Sequence, residues 1–245
     1  MLTRKLNNLF SDRFIRNVSW LGVAELVNRI FRLLTTITLA RTFSPSDYGA
    51  VSIIYTVFEF ASVFSLRTGV GAKIIHANDQ ELDDVCNTAY WLNWFLGIIL
   101  FLAQCIVAYP ISQFFRNDQL TLPICLLALI YLIFPFFLVQ SSLIERENRL
   151  KITALCSAAQ AILSNIILVV LALLGMGVWA VVWSMVLTYP VWIFISHSNH
   201  SWRPPKFFTL HGWQGIVSYG SKLMGVELLS KLRMYLDYLL IGRFI

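Results

Sequence analysis

Long apolar stretches, each broken by a short polar turn, make up most of the chain, at residues 17–40, 48–72, 88–110, 120–144, 152–174, 177–197 and 214–243. Each reaches the roughly 20 residues that a helix needs to cross a hydrocarbon core. Apolar positions run continuously through them instead of alternating, which favours helices over a barrel, because in lipid every backbone group must be bonded within its own segment or in a closed sheet. Ahead of the first stretch, Leu2, Leu6, Leu9, Phe10 and Phe14 share one helical face flanked by basic residues, so residues 1–16 read as an amphipathic helix lying in the interface. No small-residue cleavage site follows a short apolar core, so no removable signal peptide is expected. Pro135 and Pro190 fall inside the fourth and sixth stretches and predict kinks there.

Composition sharpens this reading. The 245 residues are 58% hydrophobic and 13% charged, about half the charge of a typical soluble domain. The net charge of +6 does not point to nucleic acid, because the basic residues sit between apolar runs, where anionic lipid headgroups lie. Cys86, Cys105, Cys125 and Cys156 show no metal-ligand spacing and read as small buried side chains. His197, His200 and His211 have no Cys or carboxylate beside them and read as interfacial loop residues, so neither metal nor cofactor is expected.

The basic residues also set an orientation. Eleven (Arg4, Lys5, Arg13, Arg16, Arg67, Lys73, Arg146, Arg149, Lys151, Arg203 and Lys206) fall on the side of the N-terminus, and two (Arg41 and Arg116) on the other. The positive-inside rule then places the N-terminus in the cytoplasm.

One constellation stands apart from the apolar background. On the first stretch, Glu25, Asn28, Arg29, Arg32 and Thr36 fall within an arc of about 100°. Each charge near the bilayer centre costs at least ~2.5 kcal/mol, so the stripe must face protein or a wet cavity. Glu25 and Arg29 are spaced to pair, which leaves Arg32 as surplus positive charge. A shift of 202 positions lays the last stretch on the first, with Glu227 on Glu25, Lys231 on Arg29 and Arg243 on Arg41. An acid and a base matching in register inside a membrane indicate a repeat whose second copy begins there. Six-helix units of one orientation are a transporter design with the substrate between the halves.

The expected architecture is therefore an all-α integral membrane protein, a polytopic helical bundle. An N-terminal six-helix lobe spans 17–197, a cytoplasmic linker 198–213, and the first helix of a second lobe 214–245. Arg29, Arg32 and Lys231 would offer a central cavity to an anion, and guanidinium forks suit phosphate oxygens. Glu25, Glu59 and Glu227 would position those cations or titrate. Ser157, Gln160 and Ser164 share a face of the fifth stretch, suited to interhelical bonding or to lining a path.

The stretch LARTFSPSDYGAVSIIYTVFEFASVF (39–64) resembles the helix 1/2 signature of bacterial polysaccharide-export flippases, the lipid-linked oligosaccharide branch of the multidrug/oligosaccharidyl-lipid/polysaccharide exporter superfamily. GMGVWAVVWSMV (175–186) and YLDYLLIGRFI (235–245) are similar to the same family. The resemblance implies two six-helix lobes around a V-shaped cavity. It implies movement of undecaprenyl-pyrophosphate-linked sugar units to the periplasmic leaflet of the bacterial inner membrane, for O-antigen, capsule or exopolysaccharide. The pyrophosphate would meet Arg29, Arg32 and Lys231 by position, and polysaccharide polymerisation machinery is an expected partner. Two departures stand out. Where the family usually has an acid before Gly-x-Gly, this chain has Arg67 and Thr68 in SLRTGVG, a cation on the side from which the headgroup enters. Helices 8 to 12 are absent, as expected of a fragment or a truncated product. A multidrug exporter of the same superfamily would prefer a cavity of carboxylates and aromatics. A membrane-embedded envelope-sugar enzyme would need larger loops.

Overall fold

A computed structural model describes residues 29–204 and 207–244, with side chains up to 233. The amphipathic segment 1–16, together with Glu25 and Asn28, lies outside the described residues. Regular structure among the described residues is helical throughout: α1 (29–42), α2 (Pro45–Val63), α3 (Arg67–His76), α4 (Leu82–Phe114), α5 (Thr121–Ile133), α6 (Leu138–Arg146), α7 (Leu150–Leu173), α8 (Val178–Val186), α9 (Pro190–Asn199) and α10 (Trp213–Phe244).

Five segments are long and apolar enough to cross a membrane: Pro45–His76, Leu82–Phe114, Asp118–Phe136, Leu150–Leu173 and Val178–Asn199. They match the second to sixth expected stretches, so the chain is an all-α, multi-pass membrane protein. Helix α10 has 32 residues but falls short of the same apolarity, since it carries Lys222, Glu227, Lys231 and Arg233.

Three of the five spans are broken. Pro135 lies in a single 3-10 turn, Phe134–Phe136, between α5 and α6, and Pro190 starts α9 after a turn that ends α8. Both positions carry the predicted kinks, because a proline cannot donate to the preceding turn. The third break has no proline. Leu66 takes φ 51° and separates α2 from α3, a left-handed conformation that costs a non-glycine residue roughly 1–2 kcal/mol. Packing holds it in place, since Leu66 is buried in a cluster with Val70, Ile74, Val139 and Ile216.

The turn into α2 explains two of the sequence signatures. Ser44 Oγ accepts from the Asp47 N–H at 3.2 Å while the Ser44 N–H donates to Asp47 Oδ2 at 2.9 Å, a reciprocal cap with Pro45 at the first helical position. Gly177 has φ 51°, and a Cβ there would stand 3.1 Å from Asp47 Oδ1. SPSDYG and GMGVW thus meet across the bundle.

The larger hydrophobic core gathers Ile54, Phe58, Leu127, Tyr131 and Trp192 from α2, α5 and α9, with Phe137 from the turn that leads into α6. Several of the polar groups buried in the bundle are bonded, whereas Gln140 Oε1, Thr153 Oγ1 and Ser196 Oγ have no hydrogen-bond partner among the described residues. Tyr131 Oη donates to Gln104 Oε1 at 3.0 Å, and Gln104 Nε2 donates to the Ile124 carbonyl at 2.8 Å. Gln160 accepts from Trp192 Nε1 at 2.6 Å, which puts it to the interhelical use and ties α9 to α7. Thr35 donates to Asn165 at 2.6 Å and fixes α1 against α7.

Helix α10 docks on α3 through glycine. A Cβ on Gly69 would lie 2.3 Å from the Gly220 Cα, whereas a Cβ on Gly220 would meet only the Leu66 side chain, at 3.5 Å. Removing side chains on both sides lets the two backbones approach closely. The geometry predicts an asymmetry: Gly69→Ala overpacks the seam and costs about 1–3 kcal/mol, while Gly220→Ala stays close to the unsubstituted chain. Thermal unfolding of both variants in detergent measures it, and equal losses would show that the seam does not depend on the Gly69 backbone approach.

Candidate functional site

The break at Leu66 opens a cavity of about 500 Å³ in the wall of the bundle, within the usual range of ligand pockets. Helix α2 contributes Phe58, Glu59 and Ser62, the break Ser65, and α3 Arg67, Thr68, Gly71 and Ala72. The opposite wall is Ser141, Ser142 and Glu145 of α6. Phe134, Tyr189 and Trp192 form an aromatic floor, and Glu227 closes the side facing α10.

Charges in the cavity and beside it are arranged helix to helix, Lys231 standing behind the lining residue Glu59. Lys231 Nζ donates to Glu59 Oε2 at 2.5 Å and to the Glu59 carbonyl at 2.9 Å. Glu227, one turn earlier on α10, accepts from Thr68 Oγ1 at 3.4 Å. The i, i+4 spacing of Glu227 and Lys231 is therefore used to brace two different segments, α3 and α2, and not to pair the two residues with each other. Arg67 lies over the Phe134 ring at 4.9 Å and the Phe137 ring at 5.8 Å, where the ring faces attract a guanidinium.

Of the residues singled out from the sequence, the structure brings Glu59, Glu227 and Lys231 together at this cavity. Arg29 and Arg32 are exposed on α1 and do not line it, and Glu25 lies outside the described residues. Arg67, singled out from the sequence as a cation in place of the acid expected before Gly-x-Gly, also lines the cavity, and Glu145 is the addition.

A second group of charges lies outside the membrane spans and braces the connections. Arg146 donates to the carbonyls of Ile74, Ile75 and Ala77 at 3.1, 2.8 and 2.6 Å and to Asp79 at 2.6 Å, capping the end of α3. Glu147 meets Arg149 at 3.1 Å and His200 at 3.3 Å. The Arg149 hydrogen bond holds the Glu147 carboxyl below its ordinary range, with burial opposing and His200 adding. The linker lies along α4, with Trp91 Nε1 donating to the Phe207 carbonyl and Thr88 to that of His211.

The sequence model of a family described as polysaccharide biosynthesis protein matches residues 38–245. The chain is 31% identical over 133 residues to an uncharacterized membrane protein in the cps region of Klebsiella pneumoniae, covering 54% of this chain and 27% of that protein. It is 23% identical over 233 residues to the succinoglycan biosynthesis transport protein ExoT of Rhizobium meliloti (94% of this chain, 46% of that one). It is 24% identical over 237 residues to the teichuronic acid biosynthesis protein TuaB of Bacillus subtilis (96% and 49%). The chain spans half or less of the length of these relatives. No solved structure gives a significant match.

The pairing predicts which residues are energetically coupled. In a double-mutant cycle on membrane stability, Glu59→Gln with Lys231→Met should show coupling of about 1 kcal/mol, small because the Glu59 side chain is 46% exposed. Glu227→Gln with Lys231→Met should be additive. The reverse pattern would assign Lys231 to Glu227.

Proposed function

The chain belongs to the polysaccharide biosynthesis protein family, and on that basis we propose that it is the N-terminal part of a transporter that flips lipid-linked oligosaccharide from the cytoplasmic to the periplasmic leaflet. The carrier is undecaprenyl pyrophosphate, the membrane is the bacterial inner membrane, and the product feeds surface polysaccharide assembly. The observation that carries this reading is the cavity itself: charged side chains, at least ~2.5 kcal/mol each to bury in lipid, gathered inside a bundle of apolar helices. A structural subunit has no use for that cost. Of the three relatives, one is named for succinoglycan biosynthesis transport and another for teichuronic acid biosynthesis.

In this reading residues 17–197 form a six-helix lobe and α10 opens a second, joined by the linker 198–213. The exposed stripe of Arg29 and Arg32 on α1 faces the space between the lobes and, with Lys231, meets the pyrophosphate. Glu25, Glu59 and Glu227 hold these cations in place. Alternating access then rocks one lobe against the other, and α10, held to α2 and α3 by Lys231, Glu227 and Gly220, moves with the first lobe or must release it.

A second reading has one observation in its favour. Glu59, Glu145 and Glu227 beside Phe58, Tyr189 and Trp192 also suit an organic cation, as in a multidrug exporter. Lys231 neutralises the first of these carboxylates, and Arg67 works against the second.

Two experiments test the proposal. Cysteine labelling of intact cells should reach position 46 (Ser46→Cys) and spare position 201 (Ser201→Cys), which places the N-terminus in the cytoplasm; the opposite pattern reverses the orientation. In the full-length transporter, Arg29→Ala, Arg32→Ala and Lys231→Ala should each reduce surface polysaccharide at least about tenfold, the loss of one charge-assisted contact, while Arg116→Ala leaves it unchanged. Normal polymer in all three variants, with loss of resistance to cationic dyes instead, would favour the multidrug reading.

A further inference from the structure

The hydrogen bonds around the cavity leave its wall with an unusual polarity. Ser62 donates to the Glu59 carbonyl at 2.8 Å, Ser65 to that of Ser62 at 2.6 Å, and Ser141 and Ser142 to that of Leu138 at 2.9 Å each. Thr68 gives its proton to Glu227. Each hydroxyl has one proton, so these five side chains turn only lone pairs toward the cavity. Glu59, Glu145 and Glu227 are likewise acceptors when ionised. The wall is thus built almost wholly of acceptors.

Beside the Tyr189 hydroxyl and the Trp192 indole, whose N–H is given to Gln160, Arg67 is the charged exception. Its guanidinium stacks on Phe134 and Phe137. Among the described residues no carboxylate lies within 4.0 Å of it and no side-chain hydrogen bond takes its donors. Stacking occupies the faces of the planar group and leaves the in-plane N–H fork, which matches two oxygens of a phosphate. Ser65 supports this position from behind, accepting from the Arg67 N–H at 3.4 Å.

We propose that the cavity is a two-part glycosyl-phosphate site, in which Arg67 seats a phosphate group and the surrounding acceptor wall takes the donor hydroxyls of the attached sugar. The proposal rests on the transport reading for its biological substrate, but its chemistry stands on the cavity. It resolves the apparent conflict of three carboxylates in a cavity for an anion. Carboxylates repel a bare phosphate, yet they are strong acceptors for sugar hydroxyls, so the same wall that weakens binding of inorganic anions favours a sugar carrying one. Glu145, which lines the same cavity as Arg67, discriminates between the two.

The test is binding to the purified chain in detergent, read by calorimetry. The probes are inorganic pyrophosphate, a set of hexose 1-phosphates and their parent hexoses, and farnesyl pyrophosphate. At least one hexose 1-phosphate should bind more tightly than both inorganic pyrophosphate and its parent hexose. Arg67→Gln should weaken every phosphate probe about 10- to 100-fold, and Arg67→Lys by less, since an ammonium keeps the charge without the fork. Glu145→Gln should act in opposite directions, tightening inorganic pyrophosphate several-fold by removing a like charge while narrowing the advantage of the sugar phosphate over it. Unfolding temperatures of all three variants identify any loss that comes from misfolding, and in that case Glu145→Gln, which leaves Arg67 intact, decides. Farnesyl pyrophosphate binding as well as the soluble probes marks a site that admits lipid headgroups; its exclusion marks a site for free sugar phosphates. Failure of all probes to saturate the unsubstituted chain, or phosphate affinities unchanged in folded Arg67→Gln, overturns the proposal. Export that persists in Arg67→Gln overturns this site and spares the transport reading; binding through Arg67 without any export does the reverse.

Discussion

At the contact of Gly69 with Gly220 two helix backbones come so close that a single added carbon would stand 2.3 Å from a neighbouring Cα. The position of α10 follows from this approach, and so does the chemistry of the cavity. With the helices seated there, Glu227 is carried to Thr68 two turns along α10, and Lys231 one turn farther reaches Glu59. A wider separation would leave Lys231 short of Glu59, and an ammonium in a low-dielectric wall without a partner is costly. Dispersion between small residues, the available glue where lipid is as apolar as leucine, thereby sets an electrostatic arrangement some eleven residues away.

The cavity exists because three of the spans are discontinuous. A straight helix presents one polar residue per turn to a given point, whereas the breaks bring Ser65, Arg67 and Thr68, together with Phe134 and Tyr189 from the other two, to the same space. Irregular backbone at this depth is tolerated where it lines a cavity or is buried in protein. Here the side chains satisfy it. Ser62 and Ser65 bond the carbonyls released at the end of α2, so the residues that stabilise the break also determine what the cavity can recognise.

Much of this was legible in the sequence. Continuous apolar runs located the second to sixth membrane spans, because hydrocarbon imposes both length and composition, although the expected 120–144 runs past the span end at Phe136. Pro135 and Pro190 marked two of the three breaks, since a missing N–H has a local effect that needs no tertiary knowledge. Leu66 gave no sign of the third: leucine favours helix, and only its burial among α3, α6 and α10 holds it left-handed. The charged residues of the last stretch were recognised, but their pairing was not. Spacing along one helix suggested Glu227 with Lys231, whereas the partner of Lys231 lies 172 positions away on α2, a contact that periodicity cannot reveal. Arg67 reads from the sequence as a basic residue of a connection, whereas it begins helix α3 and lines the cavity, because the glycines that follow it serve helix packing.

Arg146 gives the short helix α3 a mechanical character. One guanidinium gathers the carbonyls of Ile74, Ile75 and Ala77 and reaches Asp79, welding the far end of α3 to α6, while the near end is a single strained residue. With Leu66 buried at its start and Gly69 seated against Gly220, the ten-residue helix is held at three places along its length. Arg67 and the Thr68 contact with Glu227 therefore sit on one braced segment, and neither can shift without the other.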